Sequence, residues 1–167
     1  MTLPTATIEP RYFRDVIGHL PTGVTVVAGR DPGTGSPAGL VVGTFQSLSL
    51  DPPLVTFSVA ATSGSWPKVR HARHFSASVL SDGQHDVCHA MSSRRADKFA
   101  ALNWHESAEG SPQIAGAHAW IDCTIVQELA GGDHVIVVAE VLRLQAGGGR
   151  PLIFHRGALG GYREPAP

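Results

Sequence analysis

Runs of apolar and β-branched residues follow one another along this chain, with short turn-forming connections between them. The predicted strands are residues 23–28, the stretch beginning at 38, 54–60, 75–80, 117–130, 134–145 and 151–155. Helical spacing is found at residues 12–20, 65–72 and 82–99. Because strand–helix units do not alternate regularly, the pattern excludes a doubly wound parallel sheet. It predicts a mainly β protein with a few helices, folded as a closed antiparallel barrel.

Two turns predict antiparallel hairpins. Residues 30–37 are rich in Gly, Pro and Ser and join the first two strands, while Gly131-Gly132 joins the two longest. Residues 100–112 are predicted to be a loop, and the chain after residue 155 a Gly-rich tail.

Length and charge limit the class of protein. The 167 residues suffice for one domain, and we predict a flexible tail at 1–10 and a single domain at 11–167. A net charge of −1 gives no electrostatic footprint for nucleic acid or an anionic membrane. Residues 1–10 lack the pattern of a secretory signal, and no apolar run is long enough to span a membrane, so a cytoplasmic protein is expected. Cys88 and Cys123 lie in different predicted elements, and no disulfide framework is predicted.

The stretch at residues 39–55, GLVVGTFQSLSLDPPLV, changes character along its length. It begins apolar, becomes small and hydroxyl-rich, and reaches a double proline before a second apolar run. Small residues allow a flat ligand to approach the backbone, where N–H groups and hydroxyls can bind its polar edge. Pro52 and Pro53 donate no backbone hydrogen bond and are predicted to end the strand ladder. An edge strand with a serine-rich rim and a Pro-Pro turn explains the same residues equally well.

The segment TFQSLSLDPPL at residues 44–54 resembles the flavin reductase family, the reductase components of two-component flavin monooxygenases. Other motifs occur in that family's order: Phe13-Arg14, LPTGVTVV at 20–27, SGSWP at 63–67, FSASVL at 75–80, Gln84, DKF at 97–99, GGDH at 131–134 and PLIF at 151–154. Together they extend from about Arg11 to Tyr162. The ordered set is more specific than any single motif.

The resemblance implies an antiparallel FMN-binding split β-barrel, a homodimer, and hydride transfer from NADH or NADPH to FMN or FAD. The reduced flavin would then pass to a partner monooxygenase. No G-x-G-x-x-G segment follows a strand and opens a helix, so the nicotinamide nucleotide has to bind without a Rossmann fingerprint. Hydride transfer needs two stacked rings and no protein nucleophile, so the lack of an obvious catalytic pair is expected.

The resemblance also assigns flavin-binding residues. Those predicted to contact the flavin ring and ribityl chain are Gly43, Thr44, Phe45, Gln46, Ser47, Leu48 and Ser49. Ser63 and Ser65 are expected near the flavin phosphate, with the N-terminus of the following helix adding N–H groups. Lys68 and Arg70 could add charge, although a solvated helix face explains them as well. The segment 21–23 could border the ring, or simply end the first helix.

His134 of the GGDH turn is implied to face the nicotinamide and is the single predicted catalytic residue. By itself the sequence favours a plain β-turn, in which Gly and Asp supply the geometry and His134 only begins a strand. Phe154 and Tyr162 are expected to help cover the pocket.

The chain departs from the family at three positions. Family members often carry polar residues where this chain has Val41 and Gly43, and Asn where it has Ser78. Each change is expected to remove a polar contact to flavin.

Four histidines raise the question of a metal. His85 and His89 share a helix face, and His71 and His74 lie nearby in sequence, but no HExxH glutamate accompanies them. We predict no metal site.

Two rivals to a flavin reductase remain open. One is a split-barrel oxidase that retains its flavin, as pyridoxamine-phosphate oxidases do, and the other is a flavin-binding protein without activity.

Overall fold

The computed structural model describes residues 7–166. The helices are α1 (Pro10–Ile17), α2 (Trp66–Ala72) and α3 (His85–Ser92). The strands are β1 (Thr22–Gly23), β2 (Thr25–Arg30), β3 (Pro37–Val42), β4 (Gln46–Leu50), β5 (Pro53–Ala60), β6 (His74–Val79), β7 (Trp104–Glu106), β8 (Pro112–Ile114), β9 (Ala119–Gly131), β10 (His134–Ala146), β11 (Leu152–His155) and β12 (Ala158–Gly161).

Seven strands form one antiparallel sheet in the order β3-β2-β6-β9-β10-β5-β4. Its two outer strands, β3 and β4, are consecutive in the chain and are joined by residues 43–45, so the sheet has to curl for one edge to reach the other. β3 then approaches β5, although the two share no ladder in the described part of the chain. The predicted antiparallel split barrel is confirmed, as are the hairpins β2–β3 and β9–β10.

The predicted helix at 82–99 is wrong in extent. α3 ends at Ser92, and Ser93 is extended with ψ 163°. Beyond it, Asp97 accepts hydrogen bonds from the N–H groups of Phe99 and Ala100, and Lys98 bonds to three separate segments. These side-chain hydrogen bonds hold residues 93–99 in a loop that local spacing does not predict.

Other boundaries also differ from the prediction. The first helix begins at Pro10, since proline fits a first helical turn, and ends with Gly18 as its cap, before Pro21. The predicted tail at 1–10 therefore loses Pro10 to α1, and its residues 1–6 lie outside the described residues. The loop predicted at 100–112 contains β7 and the start of β8, which pair as a hairpin. The glycine-rich tail contains β12, which pairs with β11.

The core has two clusters that share β3. Inside the barrel, Phe57 makes edge contacts with Trp66 and Phe75, with ring centroids 5.6 and 5.5 Å apart. Complete burial of such a side chain contributes roughly 1.5–3 kcal/mol. The second cluster packs α3 against the outer face of β2 and β3, with Met91 and Leu80 at its centre. β3 is therefore a wall between the two clusters.

Candidate functional site

The predicted ring-binding stretch, residues 43–49, divides into two parts. Residues 43–45 cross between the sheet edges, and the remainder lies in edge strand β4, where all but the partly buried Ser49 are exposed. Thr44 is tied to β5, because its Oγ1 accepts a 2.9 Å hydrogen bond from the Ser58 N–H. Phe45 stacks on Phe57 with centroids 5.9 Å apart. The crossing is thus anchored from the core.

The double proline was predicted to end the strand ladder, but in the structure the ladder continues through Pro53. Pro53 is the first residue of β5 and lies opposite Leu50, so Asp51 and Pro52 form the turn of the β4–β5 hairpin. Proline is tolerated at Pro53 because it is the first residue of β5 and the ladder with β10 begins only at Leu54.

An open cavity of about 980 Å³ lies between α1 and the start of this crossing. Thr22, Gly43, Thr44 and Phe154 line it on the barrel side. A smaller cavity of about 220 Å³ adjoins it and shares three of these residues. A Cβ atom on Gly43 would lie 2.9 Å from Thr22 Oγ1, so this wall depends on the absence of a side chain. Thr22 Oγ1 is buried without a hydrogen-bond partner in the described residues.

A second large cavity, of about 570 Å³, lies at the other end of β3. Its polar lining comes from two segments. Thr62, Ser63, Ser65 and Lys68 lie on one side, in the loop before α2 and its first turn, and Ser93, Arg94, Arg95 and Lys98 lie on the other, in the loop after α3. No carboxylate lines it, and its four cations take part in none of the ion pairs found in residues 7–166. Unpaired cations converging with hydroxyls make an anion-binding surface.

Only some of the residues that line this cavity were identified from the sequence. Ser63 and Ser65, which the resemblance assigns to the flavin phosphate, line this cavity, and so does Lys68. Arg70 does not: its Nε is 2.7 Å from Glu128 Oε2, and Glu128 also accepts from Trp66 Nε1 at 2.8 Å. Arg94, Arg95 and Lys98 were missed because they were assigned to a helix. The DKF motif was the signal that could have identified Lys98.

The helix after Ser65 adds less than predicted. α2 has seven residues, and its first N–H, from Trp66, already donates to Ser63 Oγ at 3.2 Å. The polar groups of the cavity are therefore mainly side chains.

The two large cavities are aligned along one flank. Gly39 lines the anion cavity and Gly43 the open one, and a strand rise of ~3.3 Å per residue separates them by about 13 Å. β5 runs alongside in the opposite sense, from Ser58 beside Thr44 toward Thr62 in the anion cavity. An elongated ligand with a flat end and an anionic end fits this flank.

His134 is apart from both large cavities. It begins β10, lies opposite Ala60, and its Nδ1 is 2.6 Å from Asp133 Oδ1, a hydrogen bond that lowers the pKa of that carboxyl. The Ala61 N–H donates to the Asp133 carbonyl at 2.9 Å, so the turn adjoins the loop that carries Ser63. His134 is exposed.

The three positions at which the chain departs from the family have different surroundings. Ser78 is completely buried, and its Oγ accepts from the Ile114 N–H at 3.0 Å, which is a structural role. Val41 packs against the second core cluster and lines the smaller cavity. Of the predicted covering residues, Phe154 lines both cavities near Gly43, whereas Tyr162 lines neither.

Across residues 7–166, no group of three or more His, Cys, Asp or Glu side chains is placed to hold a metal ion. The four histidines discussed above are exposed. None of the described helices is sufficiently long and apolar to cross a membrane.

A split barrel with an open cavity at one end of β3 and an anion cavity at the other has room for a ligand that joins a flat group to an anionic one. Residues 17–163 match the model of the flavin reductase like domain. The chain belongs to this family and is an NAD(P)H:flavin oxidoreductase.

Two curated relatives and one solved structure illustrate the similarity. A flavin reductase from Pseudomonas putida is 45% identical over 156 residues, covering 93% of this chain and 91% of the relative. The reductase subunit HsaB of a flavin-dependent monooxygenase from Rhodococcus jostii is 40% identical, covering 96% and 84%. The NADH:FAD oxidoreductase SgcE6 of Streptomyces globisporus, solved with NAD and FAD fragments, is 32% identical with a TM-score of 0.85, covering 98% of each chain.

Proposed function

We propose that this flavin reductase takes free flavin as a substrate, reduces it, and releases it to a separate monooxygenase. The observation that carries the proposal is the flank along β3, where Gly39 lines the anion cavity and Gly43, about 13 Å along the chain, lines the open cavity. The similarity to a monooxygenase reductase subunit supports the destination of the product. Either FMN or FAD is proposed as the acceptor and NADH or NADPH as the donor.

The chain's own residues would hold the flavin through the following contacts. The crossing at 43–45 and the rim of β4 would line the ring and ribityl chain, largely through backbone groups. Ser63, Ser65 and Lys68 would bind the phosphate through hydroxyl and ammonium donors, which are strongest toward an anion. A bound flavin supplies the ring that accepts hydride. The protein needs only to position the two rings and exclude water.

His134 is proposed to position the nicotinamide. Its neighbourhood supports this role, because the GGDH turn is hydrogen-bonded to the loop leading to Ser63. The imidazole is also free to meet a ligand, being exposed and held by Asp133 on one side only.

The protein is also proposed to be a homodimer. No side chain of α1 is buried, and Tyr12, Phe13, Val16 and Ile17 are 46–66% exposed. An amphipathic helix with its apolar face uncovered favours association. Since α1 also walls the open cavity, the second copy would lie near the flavin.

Light scattering is expected to show a dimer at micromolar concentration and a monomer for Phe13→Asp combined with Ile17→Asp, because two charges would be buried in the interface. The control is Arg11→Asp on the same helix, which changes charge outside the apolar face. A monomeric parent protein would contradict the proposed assembly.

Dialysis tests whether the flavin is a substrate. A Kd in the micromolar range, about −8 kcal/mol, permits release between turnovers, whereas nanomolar binding, about −12 kcal/mol, does not. The purified protein is expected to lose NADH oxidation on exhaustive dialysis and to recover it with saturation as FMN or FAD is added. Reduced flavin should also reach an oxygenase kept behind a dialysis membrane.

Each alternative has its own outcome in that assay. A protein that stays yellow and fully active after dialysis would be a flavin-retaining oxidase. Flavin binding without NADH turnover would indicate a non-enzymatic flavin-binding protein.

A further inference from the structure

Lys98 uses all of its hydrogen-bonding capacity inside the protein. Its Nζ donates to the carbonyl of Met91 at 2.9 Å, to Ser65 Oγ at 3.0 Å and to the carbonyl of Gly39 at 3.3 Å. An ammonium group has three donors and no acceptor, so these contacts exhaust it. Lys98 therefore joins the end of α3, the loop before α2 and strand β3, the three segments around the anion cavity.

This arrangement determines what Ser65 can offer a ligand. A hydroxyl has one donor and two acceptor lone pairs, and Ser65 Oγ already accepts from Lys98. The hydroxyl proton of Ser65 cannot be donated to the Lys98 ammonium group, because an ammonium has no acceptor. Within residues 7–166 the hydroxyl donates to no protein acceptor, and Ser65 lines the cavity, so the O–H is left to donate to whatever occupies it.

We propose that Lys98 is a positioning residue for phosphate recognition, acting through Ser65 by holding that hydroxyl as a donor toward the anion. The inference rests on the proposed binding of the flavin phosphate in this cavity. It predicts that Lys98 discriminates FMN and FAD from riboflavin, which has no phosphate, and contributes nothing to ring binding.

The charges around the cavity support this role. Burial, and secondly the nearby charge of Lys68, lower the pKa of the Lys98 ammonium. Two cations thus face one cavity with no lining carboxylate to offset them, while Arg94 and Arg95 are exposed at its rim. A bound phosphate would relieve the repulsion between the two lysines, and riboflavin would not.

The test is a double-mutant cycle read by flavin fluorescence. Kd values for riboflavin, FMN and FAD are measured for the parent, Lys98→Met, Ser65→Ala and the double variant. Lys98→Met is expected to raise the Kd of FMN and FAD about tenfold and to leave that of riboflavin within about twofold. Ser65→Ala should behave in the same way, and the double variant no worse than either single one, because both changes remove the same interaction.

Matched variants separate this role from loss of charge or of structure. Arg143→Met removes an exposed cation outside the cavities and should leave all three Kd values unchanged. Should Lys98→Met not fold, Lys98→Arg is measured instead. A planar guanidinium keeps the charge but cannot serve three convergent acceptors as a compact ammonium does, so the same FMN-selective loss is expected.

Three outcomes would overturn the inference. An equal loss for riboflavin and FMN would make Lys98 a purely structural residue, and unchanged Kd values for both would deny it any role in binding. If the losses in FMN binding free energy caused by Lys98→Met and Ser65→Ala add fully in the double variant, Lys98 does not act through the Ser65 hydroxyl. A parent protein that binds riboflavin as tightly as FMN would instead disprove the proposed phosphate position. Failure of the proposed phosphate site can therefore be distinguished from failure of the role proposed for Lys98.

Discussion

Replacing Gly43 with tryptophan is expected to weaken flavin binding at least about a hundredfold, or ~2.7 kcal/mol. A side chain at this position begins 2.9 Å from Thr22 Oγ1 and extends along the wall shared by the two cavities at this end of β3. Binding would be measured by the quenching of FMN or FAD fluorescence. Ser47→Trp is also expected to weaken binding, because the exposed rim of β4 is proposed to contact the flavin and an indole would occupy that space.

The control is Gly83→Trp, since a Cβ at Gly83 meets nothing within 4 Å and this glycine lines none of the three cavities on this flank. Thermal unfolding of all three variants would show whether the barrel is retained, and we expect Gly43→Trp and Ser47→Trp to lose much more in binding than in stability. If both bind flavin like the parent, the flavin site lies elsewhere.

His134→Ala is expected to slow hydride transfer ten- to a hundredfold, ~1–3 kcal/mol, with flavin affinity nearly intact. The loss is modest because the imidazole is proposed to position a ring and to transfer no proton. Stopped-flow reduction of bound flavin by NADH would give the rate, and a fluorescence titration the affinity.

His71→Ala is the matched control, because His71 is equally exposed and lies in α2. An unchanged rate for His134→Ala would leave His134 with only the structural role of beginning β10. A parallel loss of flavin affinity would show that it contacts the flavin.

Much of the fold could be predicted because period-2 patterns and turn residues are local signals. The hairpins β2–β3 and β9–β10 follow from β-branched runs joined by Gly-rich turns, and the barrel follows from their number and order. Ser63 and Ser65 were paired as ligand residues by the family resemblance, and both line one cavity because they lie in the same short loop between β5 and α2.

Elements held by distant partners could not be predicted in this way. Residues 93–99 have no apolar period to mark the end of α3, and Lys98 keeps their loop in place through contacts with Gly39 and Ser65. β12 is a strand because β11 offers it an edge, although its glycine-rich sequence favours a tail.

The roles of individual polar residues depended on tertiary structure still more strongly. From the local sequence alone, Arg70 and Lys68 are equivalent candidates for binding an anion. In the fold, Arg70 forms an ion pair with Glu128, whereas Lys68 lines the anion cavity. Ser78 was expected only to remove a polar contact to flavin, and in the fold its hydroxyl accepts a hydrogen bond from the buried Ile114 N–H. The sequence by itself determined the longer strands, the two hairpin turns that join them, and the family. Only the closed barrel decided which charges are neutralised and which remain available for a ligand, because pairing depends on groups brought together from distant parts of the chain.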